Sequence, residues 1–429
     1  MRLFFRAVML GLSAAIAAGC QSSAGIGPSV PPAATGAVAP NASAAHRDLA
    51  FAIGQDEGNQ NVQVEESLGD VCEKVYDPMR ATCFGQIRSD AVRTTAFPTS
   101  TTGLTPKDLS SLYMYPSPYA GGRGGSGQIV GIVVAYSYAS AESDLSVYRS
   151  YYGLPACTTA NGCFKKLSVA ASPSVSASSA PYSVSAHPTT NASGWAAEVD
   201  ADTQAVSAVC PNCKILVAEA ASDSLADLGK AVRAADAAGA TIINASFGAP
   251  EASGQLALES TFVDSDHGVK LVAAAGDSGP GVFFPAASSK AIAVAGTSLS
   301  VLGLAVDEGL WSGSGYGCSA YFAKPAWQTG SCPRRSVADV AAIADPKTGL
   351  LFYDSTLAVT SGGWSVVGGT SISAPIVAAL YALSGDARND EGAQHFYQSR
   401  DSFLPVLPIS LRNADVATGL GVPQGLGGF

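Results

Sequence analysis

The amino-acid sequence predicts an α/β fold with a mostly parallel central sheet and helices on both of its faces. From Gly127 onward, short apolar runs typical of buried strands alternate with stretches of helical periodicity. Parallel strands need crossover connections, and helical crossovers come to lie on the faces of the sheet. The hydrophobic content of 47% over 429 residues supplies a core large enough for such a domain.

The amino terminus has the pattern of a bacterial export signal. Residues 1–19 combine two arginines with a short apolar run and end in small residues directly before Cys20. We expect 1–19 to be a signal peptide and Cys20 to carry a lipid anchor, with ordinary cleavage as the alternative. Residues 20–45, rich in Ala, Pro and Ser, are predicted to form a disordered tether. The protein is thus expected to be exported by a bacterium, as a cell-surface or periplasmic lipoprotein or in secreted form.

Two further segments follow the tether. Residues 46–104 contain one cysteine pair and a Thr/Ser-rich stretch, and we interpret them as a short pro-region or N-terminal extension. Residues 105–429 are predicted to form the main domain. No segment after the signal has the composition expected of a membrane span.

The elements of the main domain follow from its hydrophobic patterns in chain order. Apolar runs predict buried strands at residues 128–136, 214–218, 240–244, 269–274 and 291–295. Helical periodicity predicts helices at residues 141–152, 195–209, 225–238 and 255–267. In such a sheet, functional residues gather at the carboxyl ends of strands and at the starts of the following helices.

Eight of the nine cysteines fall into four pairs of near neighbours, once Cys20 is set aside. An even number in an exported chain predicts local disulfides, and the pairs are Cys72 with Cys83, Cys157 with Cys163, Cys210 with Cys213, and Cys318 with Cys332. The alternative for Cys210-Pro-Asn-Cys213 is a redox or zinc motif. No second Cys/His pair has metal-binding spacing, so the structural interpretation is favoured.

The charge balance argues against a nucleic-acid partner. Charged residues make up 14% of the chain and the formal net charge is −10. No basic stripe is available to displace counterions from phosphates. Few basic residues also limit the positive charge that accumulates when carboxylates take up protons, which suits an acidic medium.

The first chemical motif is a serine at a predicted helix start. Residues 368–375 read Gly-Gly-Thr-Ser-Ile-Ser-Ala-Pro and precede an apolar run. A serine in the first turn of a helix presents its hydroxyl beside free backbone N–H groups, which suits nucleophilic attack and oxyanion binding together. The alternative for Ser371 is a plain N-cap. The complete Gly-Thr-Ser-x-Ser-x-Pro string favours the nucleophile.

A pair of acids provides a candidate base. Glu198 and Asp202 lie four residues apart and so share one helix face, whereas Asp200 points away from them. Two close buried carboxylates hold one proton between them and titrate together. Such a pair can accept a proton from Ser371 in acid, where a histidine would already be charged. The alternative is a solvated acidic face.

The serine motif and the acid pair together resemble the sedolisin, or serine-carboxyl peptidase, family. Subtilisins share the serine motif but need a histidine after a His-Gly-Thr-type turn, and none of the chain's histidines has that setting: His46, His187, His267 and His395. The resemblance implies a subtilisin-like fold over residues 105–429. A subtilisin with an unrecognised histidine base is one alternative.

The same resemblance implies two further parts of the site. Asp277, in Ala-Gly-Asp-Ser-Gly directly after a predicted strand, matches the family's oxyanion-hole aspartic acid, which must be protonated to donate a hydrogen bond. Residues 242–248 resemble the family's substrate-edge strand, with Phe247 where some members carry tryptophan. Glu142 is a candidate supporting acid.

Calcium is the one cofactor that the resemblance raises. Family members bind it near the carboxyl terminus through two aspartates and backbone carbonyls, an all-oxygen site. Asp415 matches one of these aspartates, but residues 403–406 read Phe-Leu-Pro-Val where the other is expected. Calcium is therefore doubtful, and no organic cofactor is expected.

The resemblance implies an acid-active endopeptidase that hydrolyses proteins or peptides through an acyl-enzyme. In this assignment Ser371 is the nucleophile, Glu198 the general base, Asp202 its charge partner and Asp277 the oxyanion donor. A monomer is expected. The alternative from another class is a catalytically inactive surface protein that uses the same scaffold for binding.

Overall fold

The computed structural model describes residues 68–88, 103–116, 124–170, 192–263, 268–302, 305–357, 363–385, 390–406 and 414–429. The predicted signal peptide 1–19, Cys20 and the tether 20–45 lie outside these ranges, as does most of the segment 46–104. No helix within the described ranges combines the length and hydropathy needed to cross a membrane.

The strands, in chain order, are β1 Leu68–Asp70, β2 Thr82–Cys83, β3 Gln86–Arg88, β4 Ile129–Ala135, β5 Phe164–Val169, β6 Lys214–Ala220, β7 Ile242–Ala245, β8 Phe247–Pro250, β9 Lys270–Ala274, β10 Phe283–Phe284, β11 Ala291–Leu302, β12 Ala305–Leu310, β13 Gly317–Cys318, β14 Ser336–Val337, β15 Val340–Ile343, β16 Leu350–Tyr353, β17 Trp364–Gly368, β18 Phe403–Leu404 and β19 Val422–Pro423. The α-helices are α1 Pro106–Leu112, α2 Ala141–Tyr151, α3 Ala192–Val209, α4 Leu225–Ala237, α5 Glu259–Phe262, α6 Thr370–Ser384, α7 Gln394–Gln398 and α8 Ala414–Ala417.

The central sheet has the strand order β12-β11-β9-β7-β4-β6-β5, and β15 also pairs with β11. Every pairing in this sheet is parallel except that of β11 with β12. Helices α3 and α6 pack against each other and against the sheet, and α4 packs on β4 and β6. The predicted fold class, a mostly parallel sheet covered by helices, is confirmed.

The inner strands of the sheet are apolar throughout because helices cover them. In β4 the run Val-Gly-Ile-Val-Val-Ala is entirely buried. At Gly131 a Cβ would come within 3.1 Å of Ala240 and 3.2 Å of Ile243, so the glycine permits close packing. All five predicted strands are confirmed, with bounds that differ by at most two residues, except that β11 extends to Leu302 where the prediction ended at residue 295.

Three of the four predicted helices are confirmed as α2, α3 and α4, and the fourth is wrong in part. The expected helix over residues 255–267 is a short 3₁₀ helix, Ser253–Ala257, followed by the four-residue α5, and residues 264–267 lie outside the described ranges. The Gln255 side chain in this 3₁₀ helix is buried. Its amide donates to the carbonyls of Pro78 and Pro250, which ties this turn to its surroundings.

The residues before the main domain contribute strands to two smaller sheets. One has the order β1-β3-β17-β16 and the other the order β10-β8-β2. All pairings in both are antiparallel. Residues 68–88 are therefore bound to the main domain through main-chain hydrogen bonds on two sides.

The four predicted disulfides are all present: Cys72–Cys83, Cys157–Cys163, Cys210–Cys213 and Cys318–Cys332. Cys210 and Cys213 have no exposed surface, and a Cβ at Gly125 would collide with both sulfur atoms. Such a covered bond cannot meet a redox partner, which supports the structural interpretation of this CxxC.

Candidate active site

Ser371 lies in the first turn of α6, immediately after the glycine turn that follows β17. Gly369 has φ = 90°, a backbone conformation that favours glycine. A Cβ at residue 369 would come within 3.0 Å of the Phe84 carbonyl oxygen and of Asp277 Oδ2. Both the backbone conformation at residue 369 and the space beside it therefore require glycine.

The Ser371 hydroxyl is fully buried and has two hydrogen-bond partners. It donates to the Ser246 carbonyl at 3.1 Å and accepts from the Phe84 N–H at 3.0 Å. Ser246 directly follows β7, so the carboxyl end of a central strand contacts the helix start. This is where a parallel α/β sheet is expected to place its functional groups.

Glu198 and Asp202 lie on α3, which packs against α6. Both carboxylates have no exposed surface. The structure therefore excludes the alternative of a solvated acidic face. Burial against the serine helix instead brings the pair to the inner side of α3, as their four-residue spacing requires.

Burial raises the pKa of Glu198 well above its ordinary value, and the charges of Asp202 and Asp277 raise it further. The Ser371 hydroxyl and the Gly85 amide act in the opposite direction because both stabilise the ionised carboxylate. Burial also raises the pKa of Asp202 to about 8. The two carboxyls titrate as one coupled pair, which gives up its first proton more readily than its second.

Asp202 is held by a short polar network that sequence reasoning missed. The Ser246 hydroxyl donates to Asp202 Oδ1 at 2.6 Å, and Asn244 Nδ2 donates to Ser246 Oγ at 2.9 Å. The Ser246 and Asn244 side chains both lower the pKa of Asp202, against the larger effect of burial. The residues lie at the end of β7, but nothing in their spacing indicates which carboxylate they meet.

Asp277 follows β9 after Gly276 and lies beside the start of α6. Its Oδ1 accepts from the Thr370 N–H and from the Thr370 hydroxyl, each at 2.8 Å. Its Oδ2 is buried without a hydrogen-bond partner among the described residues. Burial raises the pKa of Asp277 to about 8. One oxygen is thus fixed, and the other is placed to carry a proton towards the space beside Gly369.

The other residues singled out in the sequence make contacts outside this cluster. Glu142 accepts hydrogen bonds from the Thr159 backbone and hydroxyl, a partner outside this cluster. His395, the one histidine in the described ranges, contacts Ser399. Phe247 packs against Trp195 with ring centroids 6.0 Å apart.

The predicted calcium ligand Asp415 belongs to α8, but its side chain is outside the described part of the structure. Its expected partner segment offers β18, whose Phe403 and Leu404 pair with β19, and the Val406 carbonyl, which accepts from Thr418 at 3.3 Å. These residues supply no carboxylate and their strand is already paired. The described groups at this end therefore do not fit a calcium site.

A second acidic cluster was not predicted. Asp144, Asp200 and Asp354 are buried, and one carboxylate oxygen from each lies within 4.8 Å of the other two. Carboxylate oxygens are the donors that calcium and magnesium prefer. Burial raises the pKa of Asp200 well above its ordinary value, and the charges of the other two raise it further. Asp200 does point away from Glu198, but it points into this cluster and not into solvent.

Known proteins resemble this chain in sequence and in fold. The model of the subtilase family matches residues 146–400, more than half of the chain. Kumamolisin from Bacillus sp. (strain MN-32) is 31% identical over 314 residues, which cover 66% of this chain and 52% of that protein. The chain thus spans about half the length of this curated relative.

A solved structure shows the same fold. Pseudomonas sedolisin (serine-carboxyl proteinase), complexed with two molecules of pseudo-iodotyrostatin, superposes with a TM-score of 0.59 at 22% identity, covering 75% of this chain and 95% of that one. The predicted subtilisin-like fold is confirmed, and so is the predicted resemblance to the sedolisin family. The chain belongs to the subtilase family, as a member of its sedolisin branch.

Proposed function

We propose that this chain is a secreted, acid-active serine-type endopeptidase that cleaves peptide bonds through an acyl-enzyme on Ser371. The observation that carries the proposal is the convergence of Glu198, Asp202 and Asp277 on a buried serine at a helix start. Family membership makes peptide hydrolysis the natural chemistry. Proteins or peptides are the proposed substrates, bound along the strand Phe247–Pro250.

In the acylation step, the Ser371 hydroxyl turns from Ser246 towards Glu198, which takes its proton as the oxygen attacks the substrate carbonyl. Glu198 then passes that proton to the leaving amine, and the acyl group stays on Ser371. Water hydrolyses the ester with Glu198 again as base. Asp202 acts through Glu198 as a positioning residue, and its proton keeps the pair at one negative charge.

Asp277 and the backbone N–H of Ser371 supply the oxyanion site. The developing negative oxygen accepts a hydrogen bond from Asp277 only while Asp277 holds its proton. Its pKa of about 8 keeps it protonated through the acidic range. The same residues that make the serine reactive therefore make the enzyme work in acid.

Activity on a denatured protein at about pH 3 to 5, where coupled carboxylates share a proton, tests this proposal. We expect Ser371→Ala and Glu198→Ala each to remove nearly all activity, and the double variant to be hardly worse, because the two act as one unit. His395→Ala should leave the rate unchanged. Losses that multiply in the double variant would favour another base. A correctly folded wild-type protein without activity would favour an inactive binding protein.

Export and anchoring rest on the sequence of residues 1–45. The predicted lipid on Cys20 should hold the protein at a membrane, so a Cys20→Ser variant should fractionate as soluble protein with undiminished activity. Identical fractionation of both proteins would argue for simple cleavage of the signal. Asp415 remains a predicted calcium ligand, and no step above depends on it.

A further inference from the structure

Three elements of the fold bring the second acidic cluster together. Asp144 lies in the first turn of α2, Asp200 in the middle of α3, and Asp354 directly after β16. One carboxylate oxygen from each lies within 4.8 Å of the other two. Asp200 and Asp354 have no exposed surface, and Asp144 is 2% exposed. Like charges at this distance repel one another, and burial removes the water that would screen them. The cluster therefore favours the binding of positive charge.

The Asp200 carboxylate is buried without a partner. Neither of its two oxygens has a hydrogen-bond partner among the described residues, and the same holds for Asp354 Oδ2. A buried carboxylate oxygen is costly unless it meets a hydrogen-bond donor or a cation. These oxygens are thus free to bind a further group, and Asp200 presents both of its own to the other two acids.

Asp144 is oriented through one of its oxygens. Its Oδ2 accepts from the Tyr138 hydroxyl at 2.8 Å, from the Ser355 N–H at 3.1 Å and from the Ser355 hydroxyl at 2.9 Å. Its Oδ1 has only a long contact, 3.4 Å to the Ser143 hydroxyl. Such supporting bonds to one oxygen are the usual way in which proteins orient a carboxylate that binds a metal through the other.

Asp354 is oriented in the same way, and its strand is tied to α3. Asp354 Oδ1 accepts from the Thr356 N–H at 2.7 Å. Gln204, one turn after Asp200 on α3, donates to the Tyr353 carbonyl at 2.6 Å and accepts from the Tyr353 N–H at 2.8 Å. These bonds fix the end of β16 beside Asp200. The three acids are therefore held together by contacts of other residues.

The chain itself does not neutralise the cluster. Within the described ranges, none of the three carboxylates belongs to an ion pair. The charge of Lys166 acts on Asp200. However, the Lys166 ammonium pairs with Glu219 at 2.7 Å and also donates to the Tyr138 carbonyl. Glu219 thus already offsets this positive charge, and the ionised cluster keeps its negative charge.

The spacing and the atom types fit a hard divalent cation. Calcium lies about 2.3–2.6 Å from its oxygen ligands, so two ligands on opposite sides of the ion are about 5 Å apart at most. The 4.8 Å limit within the cluster satisfies this condition. The ligand atoms are carboxylate oxygens, which calcium and magnesium prefer, whereas zinc favours nitrogen and sulfur. The half-buried Tyr138 and Ser355 add two hydroxyl oxygens beside Asp144.

We propose that Asp144, Asp200 and Asp354 form a binding site for one divalent cation of the hard, oxygen-preferring class, calcium or magnesium. The ion joins α3, the helix of the proposed base, to the end of β16, which pairs with β17. Because β17 leads into α6, the ion ties together the two elements that carry the proposed base and the proposed nucleophile. The site does not depend on peptidase activity, and it is distinct from the carboxyl-terminal region of Asp415.

Thermal unfolding and metal content of the full chain carrying Ser371→Ala, which avoids self-digestion, test the proposal. Near pH 7, where carboxylates ionise to bind a metal, the chelator-treated protein receives about 1 mM calcium chloride, magnesium chloride or sodium chloride of equal ionic strength. We expect calcium or magnesium to raise Tm by about 4 °C or more, with about one ion bound per chain. The ion that gives the larger shift is the preferred one.

No shift and no bound ion with either divalent metal would overturn the proposal. The cluster would then be held by protons shared among its acids. A shift of the same size with sodium chloride would also overturn it, because the effect would be a general one of salt on repelling charges.

A matched set of Asp-to-Asn variants locates the ion. Asp200→Asn and Asp354→Asn should each weaken metal binding by about 10-fold or more and lose most of the Tm shift. Without metal, Asp200→Asn should be at least as stable as its parent, because the amide relieves repulsion within the cluster. Asp415→Asn should keep both the bound ion and the full shift. Loss of the shift in Asp415→Asn, with full retention in Asp200→Asn, would place the ion at the carboxyl terminus and contradict the proposal.

Discussion

At the scale of single residues, the proton on Asp277 links the geometry to acid chemistry. Asp277 Oδ1 is occupied by two bonds from Thr370, which leaves Oδ2 to carry the proton. An ionised carboxylate at that position would repel the oxyanion. In the proposed mechanism, activity in acid follows from an aspartic acid at this position, where an amide could have stood.

Substitution of Asp277 tests this role. Asp277→Asn should give a slower enzyme whose activity persists to higher pH, since an amide donates at every pH. Asp277→Ala should lose on the order of 100-fold in kcat at all pH values, as expected for a lost oxyanion donor. The measurement is kcat between pH 3 and 9 for the three proteins. If Asp277→Ala kept the wild-type rate in acid, Asp277 would be only a turn residue.

Sequence reasoning identified the acidic residues but not their partners. The spacing of Glu198 and Asp202 predicts a shared helix face, and the structure shows that face buried. The Ser246 bond to Asp202 and the contacts of Asp200 with Asp144 and Asp354 join distant parts of the chain. Local patterns carry no information on such pairs, because they depend on how elements pack.

At the scale of elements, the turn from β17 into α6 sets the position of Ser371, the proposed nucleophile. Gly369 and Gly385 stand at the two ends of α6, and both have positive φ, 90° and 72°. A Cβ at Gly369 would strike the Phe84 carbonyl and Asp277, whereas at Gly385 it would meet nothing within 4 Å. Alanine at residue 385 therefore tests backbone strain alone, whereas alanine at residue 369 adds a collision with groups of the site.

Alanine at each glycine exploits this difference. Gly385→Ala should lose about 1–2 kcal/mol of stability from its left-handed backbone, and Gly369→Ala should lose more, because its Cβ also collides with the Phe84 carbonyl. Only Gly369→Ala should also lose peptidase activity, by about 100-fold, because its methyl group fills the oxyanion site. Thermal unfolding and kcat/KM on a peptide check both effects. An active Gly369→Ala enzyme would show that the oxyanion does not bind beside residue 369.

The elements that hydrophobic periodicity predicted well are the strands of the central sheet and the helices that cover it. The five strands and α2, α3 and α4 have long, regular apolar patterns. The expected helix at 255–267 is instead a 3₁₀ helix followed by a four-residue α-helix, and the Gln255 side chain there bonds to the carbonyls of Pro78 and Pro250, contacts that periodicity does not encode. The pairing of residues 82–88 with β8 and β17 could likewise not be predicted, because this segment has no strong hydrophobic periodicity.

At the scale of the whole molecule, buried acids make stability depend on pH. Asp202 and Asp277 have pKa values of about 8 in the folded chain, against ordinary values of 3.8. The folded state therefore binds more protons than the unfolded state between about pH 4 and pH 8. Their contribution to stability is complete below pH 4 and is lost as the pH rises towards 8.

The free energy of unfolding should consequently fall from pH 4 to pH 8. Each additional proton held by the folded state contributes about 1.4 kcal/mol per pH unit to the slope. Denaturant unfolding of the Ser371→Ala chain measures this without self-digestion. The slope should become shallower in Asp277→Asn. A protein more stable at pH 8 than at pH 4 would contradict the raised pKa values.

The central claim is that carboxylates, and not a histidine, transfer the proton to and from Ser371. The most direct measurement is the pH dependence of kcat/KM on a peptide substrate. We predict high activity near pH 4 that declines as the pH rises through the pKa of Asp277, about 8. An activity that is absent near pH 4 and rises to an alkaline plateau would indicate a histidine base and contradict the account.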